Sequence, residues 1–281
     1  MIRSAQRGDE VVLVANAAGD VPATERPEWW TRALRLAQHA FFLLAMFVLW
    51  EAVSTFVVGP FWISKPTLIA KVLVKWVTGA EFWRHFIVTL TEVAYGFGLG
   101  VAGGVLAGFM LGEIPRLGRF LDPYLAALYG IPKTALAPLF ILWFGIGLGA
   151  KVAMAGIMVF FLVFFNTAAG LRSVDRDLIN MARVAGASRG QILRKIKLPF
   201  AFPYIITGIK LGLPTGLIGA IVAEFISSNQ GIGYVIVRAS MFFDTASVFA
   251  GVIVLAVTVF ALNEVLVRIE RYVLRWRPEA S

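Results

Sequence analysis

The chain has 281 residues, two histidines and no cysteine, which leaves no basis for a disulfide framework, thiol chemistry or a His/Cys metal site. Apolar residues make up 59% and charged residues 15%, well above the apolar share of about 45–50% in soluble domains, so the expected class is an all-α integral membrane protein. The net charge of +9 is what a multi-span chain acquires when Lys and Arg collect on its cytoplasmic side, and it gives no reason to expect nucleic acid as a partner.

Residues 1–35 are polar, with an apolar patch at 11–15 too short to span, and read as a cytoplasmic N-terminal tail. No apolar run near the start resembles a cleavable leader, so none is expected. Trp29 and Trp30, beside Arg26, Arg32 and Arg35, form an interfacial anchor before a first span over 36–58. Gly59 and Pro60 end that span. Ser64-Lys65-Pro66-Thr67 then reads as a helix start, with Thr67 as the cap of a short amphipathic helix over 68–77 on the outer face.

A second span is expected over 86–111. Its Gly100, Gly104 and Gly108 recur every four residues, a stripe that lets another helix approach closely. The third span, over 120–144, contains Pro123, Pro132 and Pro138, which predict kinks or unwinding. A fourth span follows over 151–171, a fifth over 200–223 and a sixth over 246–269. The mixed segment 224–245, with its SSNQGIG run, is expected to dip at the outer surface. Six spans place both termini on one side. That side then holds 18 Lys and Arg against 6 opposite, which sets N-in, C-in. The membrane domain is 36–270, with a basic cytoplasmic tail at 271–281.

The longest polar interruption is 173–199, between the fourth and fifth spans. Asp175 or Asp177 can cap a short helix over 178–185. Gly186 permits a left-handed turn. Ser188 with Gln191 three residues later fits a capping box that opens a second helix at Arg189. Ile192 and Ile196 share a face of it, and Pro199 is expected to stop it. The pattern is a helix–turn–helix hairpin, too polar for lipid. By composition alone it is either a cytoplasmic loop that fixes topology or a docking element for a soluble partner.

The run NMARVAGASRGQILRKIKLP from Asn180 resembles the signature loop of ABC importer permeases: EAA, three residues, Gly, nine residues, Ile-x-Leu-Pro. Gly186 is followed by nine residues and then by Ile196, Lys197, Leu198 and Pro199. Asn180 and Met181 stand where the pattern has Glu and Ala, and Ala182 agrees. IPKTALAPLFILWFGIG (131–147) and AEFISSNQGIG (223–233) resemble the nitrate/sulfonate/taurine type within that group. The resemblance implies a type I importer fold of two permease subunits, two ATPase subunits and an outer solute-binding protein, in a bacterial inner membrane. It also implies that Asn180, Met181, Ala182, Gly186, Ala187, Ser188, Ile192, Ile196, Leu198 and Pro199 form the loop that engages the ATPase. The chain contains no GxxxxGK[ST] phosphate loop. It is therefore expected to be non-catalytic and to bind no cofactor, with ATP and Mg held by the partner.

The translocation pathway is expected among the Gly- and Pro-rich spans, near Pro132, Lys133, Pro138, Lys210 and Glu224. A Lys at a helix centre costs roughly 2.5–3.5 kcal/mol to insert, so such residues usually face the protein interior. Lys133 and Lys210 could help an anionic solute past the midplane. Alternatively Lys210 snorkels or pairs with Glu224 or Glu264. The cargo expected is a small anion such as a sulfonate, nitrate or organic acid, with a thiamine or pyrimidine precursor as the alternative. No linked carboxylates at depth are apparent that would form the proton relay of a secondary transporter, and no filter loop that would make a channel.

Overall fold

The computed structural model describes residues 28–275, and every regular element among them is helical. Helix α1 (Glu28–Phe56) starts inside the segment assigned to the tail. The rest of that tail, 1–27, and the end of the C-terminal one, 276–281, lie outside the described residues. Of the expected anchor, Arg26 is not described and the side chains of Trp29 and Arg32 are not either.

From residue 53 onward the chain forms one compact unit. Its elements are α2 (Pro66–Thr78), α3 (Ala80–Glu113), α4 (Pro115–Gly130), a 3-10 turn (Lys133–Leu136), α5 (Ala137–Phe144), α6 (Leu148–Arg172), α7 (Arg176–Val184), α8 (Arg189–Ile192), α9 (Leu198–Ser227), α10 (Ile232–Met241) and α11 (Thr245–Val273). Five helices among the described residues are long and apolar enough to cross a membrane. The third expected span, 120–144, falls on the pair α4 and α5, which are bent by 81° to one another and make a sixth crossing only if the pair spans together. Pro132 sits at that bend in an extended conformation and Pro138 opens α5. The expected kink is therefore a full break, because a proline removes a backbone donor and disfavours a helical residue before it.

Two starts and stops differ from the expectation. Pro66 opens α2 at its first turn with Lys65 at the cap position, so Thr67 lies inside the helix rather than capping it. Pro199 does not end the hairpin's second helix. A π-turn over Leu193–Lys197 carries the chain through, giving 39 continuous helical residues from Arg189 to Ser227. Within it the Leu198 N–H reaches back five residues to Leu193, a wider turn just where Pro199 can donate no bond.

The core is α6 pressed between α3 and α9. On α3, Gly96, Gly100, Gly104, Gly108 and Gly112 are buried at a spacing of four. A β-carbon at Gly104 would stand 2.8 Å from the Phe160 carbonyl oxygen, and one at Gly108 2.7 Å from that of Phe164. On α9, a β-carbon at Gly208 would lie 2.8 Å from the Asn166 β-carbon, and one at Gly216 2.7 Å from the Val159 side chain. Two glycine stripes thus let α6 touch both neighbours at backbone range, the packing that works where lipid removes the hydrophobic drive between helices. Val159, Val163 and Phe164 of the MVFFLVFF run are buried in this seam.

Candidate functional site

The hairpin 173–199 is built as its residues dictate. The Asp175 carboxylate accepts from the Asp177 N–H at 2.8 Å and caps α7. Gly186 adopts φ +83° and closes the helix, with its own N–H bonded to Arg183 O and that of Ala187 to Ala182 O. Ser188 and Gln191 form the reciprocal capping box at α8, with the Gln191 N–H donating to Ser188 Oγ at 3.3 Å and the Ser188 N–H to Gln191 Oε1 at 2.8 Å. Ile192 is buried, and Ile196, Leu198 and Pro199 are half-buried at the base. Asn180, Met181, Ser188 and Gly186 are exposed, with Ala182 and Ala187 half-buried.

The apolar face of α7 has nothing to cover it within the described residues: Met181 is 69% and Val184 91% exposed. Together with Asp177, Asn180 and Ala185 they line a shallow depression. A second one between the two arms is lined by Gly186, Ala187, Gln191 and Lys195. Exposed valine and methionine on a well-capped polar hairpin form an apolar patch that the described residues leave open to solvent.

Both ends of the hairpin are tied to other helices. Before it, Arg172 makes a two-pronged ion pair with Asp122 of α4, at 3.0 and 3.1 Å. After it, Lys197 Nζ donates to Glu113 at the end of α3, at 2.7 Å. These partners are 50 and 84 residues apart in sequence, beyond the reach of any helical-spacing rule.

The opposite end of α3 carries a second polar assembly that the sequence only hinted at. Lys151, expected at the outer end of its span, is buried and donates to Glu92 Oε1 at 2.6 Å. Glu224, placed by expectation on the pathway, is buried on α9. It accepts from Thr89 Oγ1 at 2.7 Å and from the Gly233 N–H at 2.5 Å. Thr89 Oγ1 in turn accepts from the Ile232 N–H at 2.8 Å, and His85 Nδ1 from the Gly231 N–H at 3.1 Å. Three successive backbone donors at the start of α10 are thus held by side chains from α3 and α9, satisfying groups a helix start leaves open. A carboxylate there also suits the helix dipole. The Gly-Ile-Gly run follows from this approach: Gly231 has φ +111°, and a β-carbon at Gly233 would lie 2.7 Å from Glu224 Oε2. The Glu92 and Glu224 carboxyls are neighbours, and Glu92 Oε2 has no donor among the described residues. Lys151 thus serves Glu92, while the adjoining Glu224 is held by Thr89 and the Gly233 N–H.

The other expected pathway residues are dispersed. Lys133, at the α4–α5 break, donates to Tyr129 O at 2.8 Å and lies over the Tyr129 and Phe161 rings, 4.2 and 5.0 Å from their centres. Lys210 pairs with Glu270 at 2.6 Å, not with Glu224 or Glu264. Glu264 pairs with Arg268 one turn on. Pro132 and Pro138 are exposed.

A helical bundle of membrane-spanning length, with a glycine-jointed hairpin held out at one end, defines the class of a polytopic membrane protein. Residues 100–277 match the family of binding-protein-dependent transport system inner membrane components. The chain is 34% identical over 273 residues to the riboflavin transport system permease protein RibX of Chloroflexus aurantiacus, covering 97% of this chain and 99% of that one. It is likewise 34% identical over 278 residues to the putative aliphatic sulfonates transport permease protein SsuC of Bacillus subtilis, covering 95% and 98%. Its fold is shared with the inward-facing MetNI methionine ABC transporter, at TM-score 0.56 and 20% identity over 73% of this chain and 97% of that one. The chain belongs to the binding-protein-dependent transport system inner membrane component family. It is a permease subunit of an ABC importer, without catalytic chemistry of its own, and its partners are an ATPase and a solute-binding protein.

Proposed function

We propose that this permease imports a small anionic solute, and that ATP hydrolysis in the partner drives it through the hairpin 173–199. The observation that carries the coupling half is the uncovered apolar face of α7 on a hairpin whose ends are ion-paired to α3 and α4. In this reading Met181 and Val184 seat in a groove of the ATPase, and Gly186 sets the angle between the arms. ATP and Mg are held by the ATPase. Two copies of the chain form the pathway, each engaging one ATPase subunit, and both termini lie in the cytoplasm of a bacterial cell. Closure of the ATPase pair then pulls the hairpins together, and the spans alternate between inward- and outward-facing states.

The anionic cargo is supported by the similarity to the sulfonate permease. A second reading, a flat uncharged or vitamin-like solute, is favoured by the equal identity to the riboflavin permease. The test is co-expression with the neighbouring ATPase and binding protein. Met181→Asp with Val184→Asp should abolish ATPase co-purification and ATP-driven uptake while thermal stability stays within about 0.5 kcal/mol, as for a surface change. Full co-purification of that variant would overturn the coupling assignment. Uptake of riboflavin but of no sulfonate or carboxylate would overturn the anionic cargo.

A further inference from the structure

At the end of the bundle opposite the hairpin, α2, the start of α3 and α10 enclose a cavity of about 280 Å³. His85 and Glu113 stand 28 residues apart on α3, which at 1.5 Å per residue separates this cavity from the hairpin's Lys197–Glu113 tie by about 42 Å. Its lining includes Lys75, Arg238 and His85, with the Trp76 and Tyr234 rings as walls and Glu81 as the one carboxylate.

The charges here are not structural pairs. Neither Lys75 nor Arg238 has an ion-pair or side-chain hydrogen-bond partner among the described residues, and both are exposed to the cavity mouth. Glu81 is engaged only loosely, with His85 Nε2 at 3.9 Å. His85 Nδ1 accepts from Gly231 N–H, so in the neutral ring the proton sits on Nε2 and that nitrogen is a donor. The floor is rigid, because Trp76 stacks on Phe82 with ring centres 5.6 Å apart and Ile232 and Ile236 back them from α10. The lysines within or bordering the spans, Lys133, Lys151, Lys197 and Lys210, each find a carboxylate or a carbonyl. Lys75 and Arg238 converge on one concavity with no such partner, and an aromatic wall stands beside them.

We infer that this cavity is a binding site for a small organic anion that joins a sulfonate or carboxylate to a flat apolar group. The inference rests on the anion-import reading above and names the place where that anion first meets the permease. Arg238 and Lys75 take the anionic head, with the guanidinium offering its paired donors. Trp76 and Tyr234 cover the flat part. The site adjoins the start of α10, which the Glu224 network holds, so an occupant touches the element that the two spans α3 and α9 position together.

The test uses the full chain in nanodiscs, without ATPase or binding protein, and equilibrium dialysis of benzenesulfonate against the uncharged benzenesulfonamide. Benzenesulfonate should bind saturably and about tenfold or more tighter than the sulfonamide, the scale of a charge-assisted contact. Lys75→Gln with Arg238→Gln should lower its affinity by about tenfold or more, and Arg238→Lys, which keeps the charge but loses the paired donors, should fall between that variant and the unchanged chain. Both side chains are exposed and unpaired, so these variants keep the fold. Equal binding of the two probes, or undiminished binding by the double variant, would overturn the site. Transport by the complete complex separates this from the cargo reading. If the complex imports only uncharged solutes while the chain still binds benzenesulfonate through Lys75 and Arg238, the anionic cargo falls and the site stands. If sulfonate import proceeds but the nanodisc chain does not discriminate the probes, the site falls alone.

Discussion

The two ends of α3 solve opposite problems. At one end, Glu113–Lys197 and the neighbouring Asp122–Arg172 are partly exposed ion pairs that tie the hairpin's roots to the bundle. At the other, Glu92, Lys151, Glu224 and Thr89 are almost wholly buried and hold backbone donors as well as each other. Exposed pairs are worth little individually and can be exchanged cheaply. A buried set is expensive to disturb, because removing one member strands a charge. The ties at the hairpin end are therefore cheap to exchange, as the coupling proposed above requires, and the far end resists change.

The contrast breaks most sharply if the buried end proves soft. Glu92→Leu leaves the Lys151 ammonium without its carboxylate and should cost about 3–5 kcal/mol, seen as a large fall in the melting temperature of the detergent-solubilised complex. The double change Glu92→Leu with Lys151→Met should recover much of that loss, and a double variant no better than the single one would remove the pair from the account. Next comes the seam between the ends. Gly104→Leu puts a side chain where a β-carbon already meets Phe160 O at 2.8 Å, and should cost about 1–3 kcal/mol by overpacking. Gly186→Ala strains a residue at φ +83° by about 1–2 kcal/mol. Its effect should be confined to faster amide exchange over residues 176–197, with the global melting point nearly unchanged. Smallest is Arg172→Ala, at under about 1 kcal/mol for a pair exposed on both sides. That change should leave folding intact and lower uptake per ATP hydrolysed, measured in proteoliposomes.

Most of the hairpin was legible because its signals are local. The Asp175 cap, the Gly186 turn and the Ser188–Gln191 box each lie within three or four residues. The α3 glycine stripe was legible for the same reason, being a pure periodicity. The helix runs through Pro199 because a proline's lost bond can be absorbed by a wider turn, and nothing in LRKIKLP distinguishes a stop from a π-turn. The buried network was hidden for a different reason. Lys151 sits near a span boundary, where a basic residue reads as an interfacial one, and its partner is 59 residues away. Of that assembly AEFISSNQGIG stood out in the sequence, and it marked the loop and Glu224, one of its holders, but not Thr89 and His85, which grip it from α3.

The absence of a stop at Pro199 has a mechanical corollary. Residues 189–227 form one unbroken helix of 39 residues, about 58 Å long, with the hairpin's second arm at its near tip and Glu224 close to its far tip. A shaft of that length magnifies angle into displacement: five degrees of tilt about one end sweeps the other through roughly 5 Å, by simple geometry on that length. A swivel at Ser188 is therefore carried along one continuous helix toward the anchor of α10, with the π-turn at 193–197 and Pro203 and Pro214 as the places where the stroke can be absorbed.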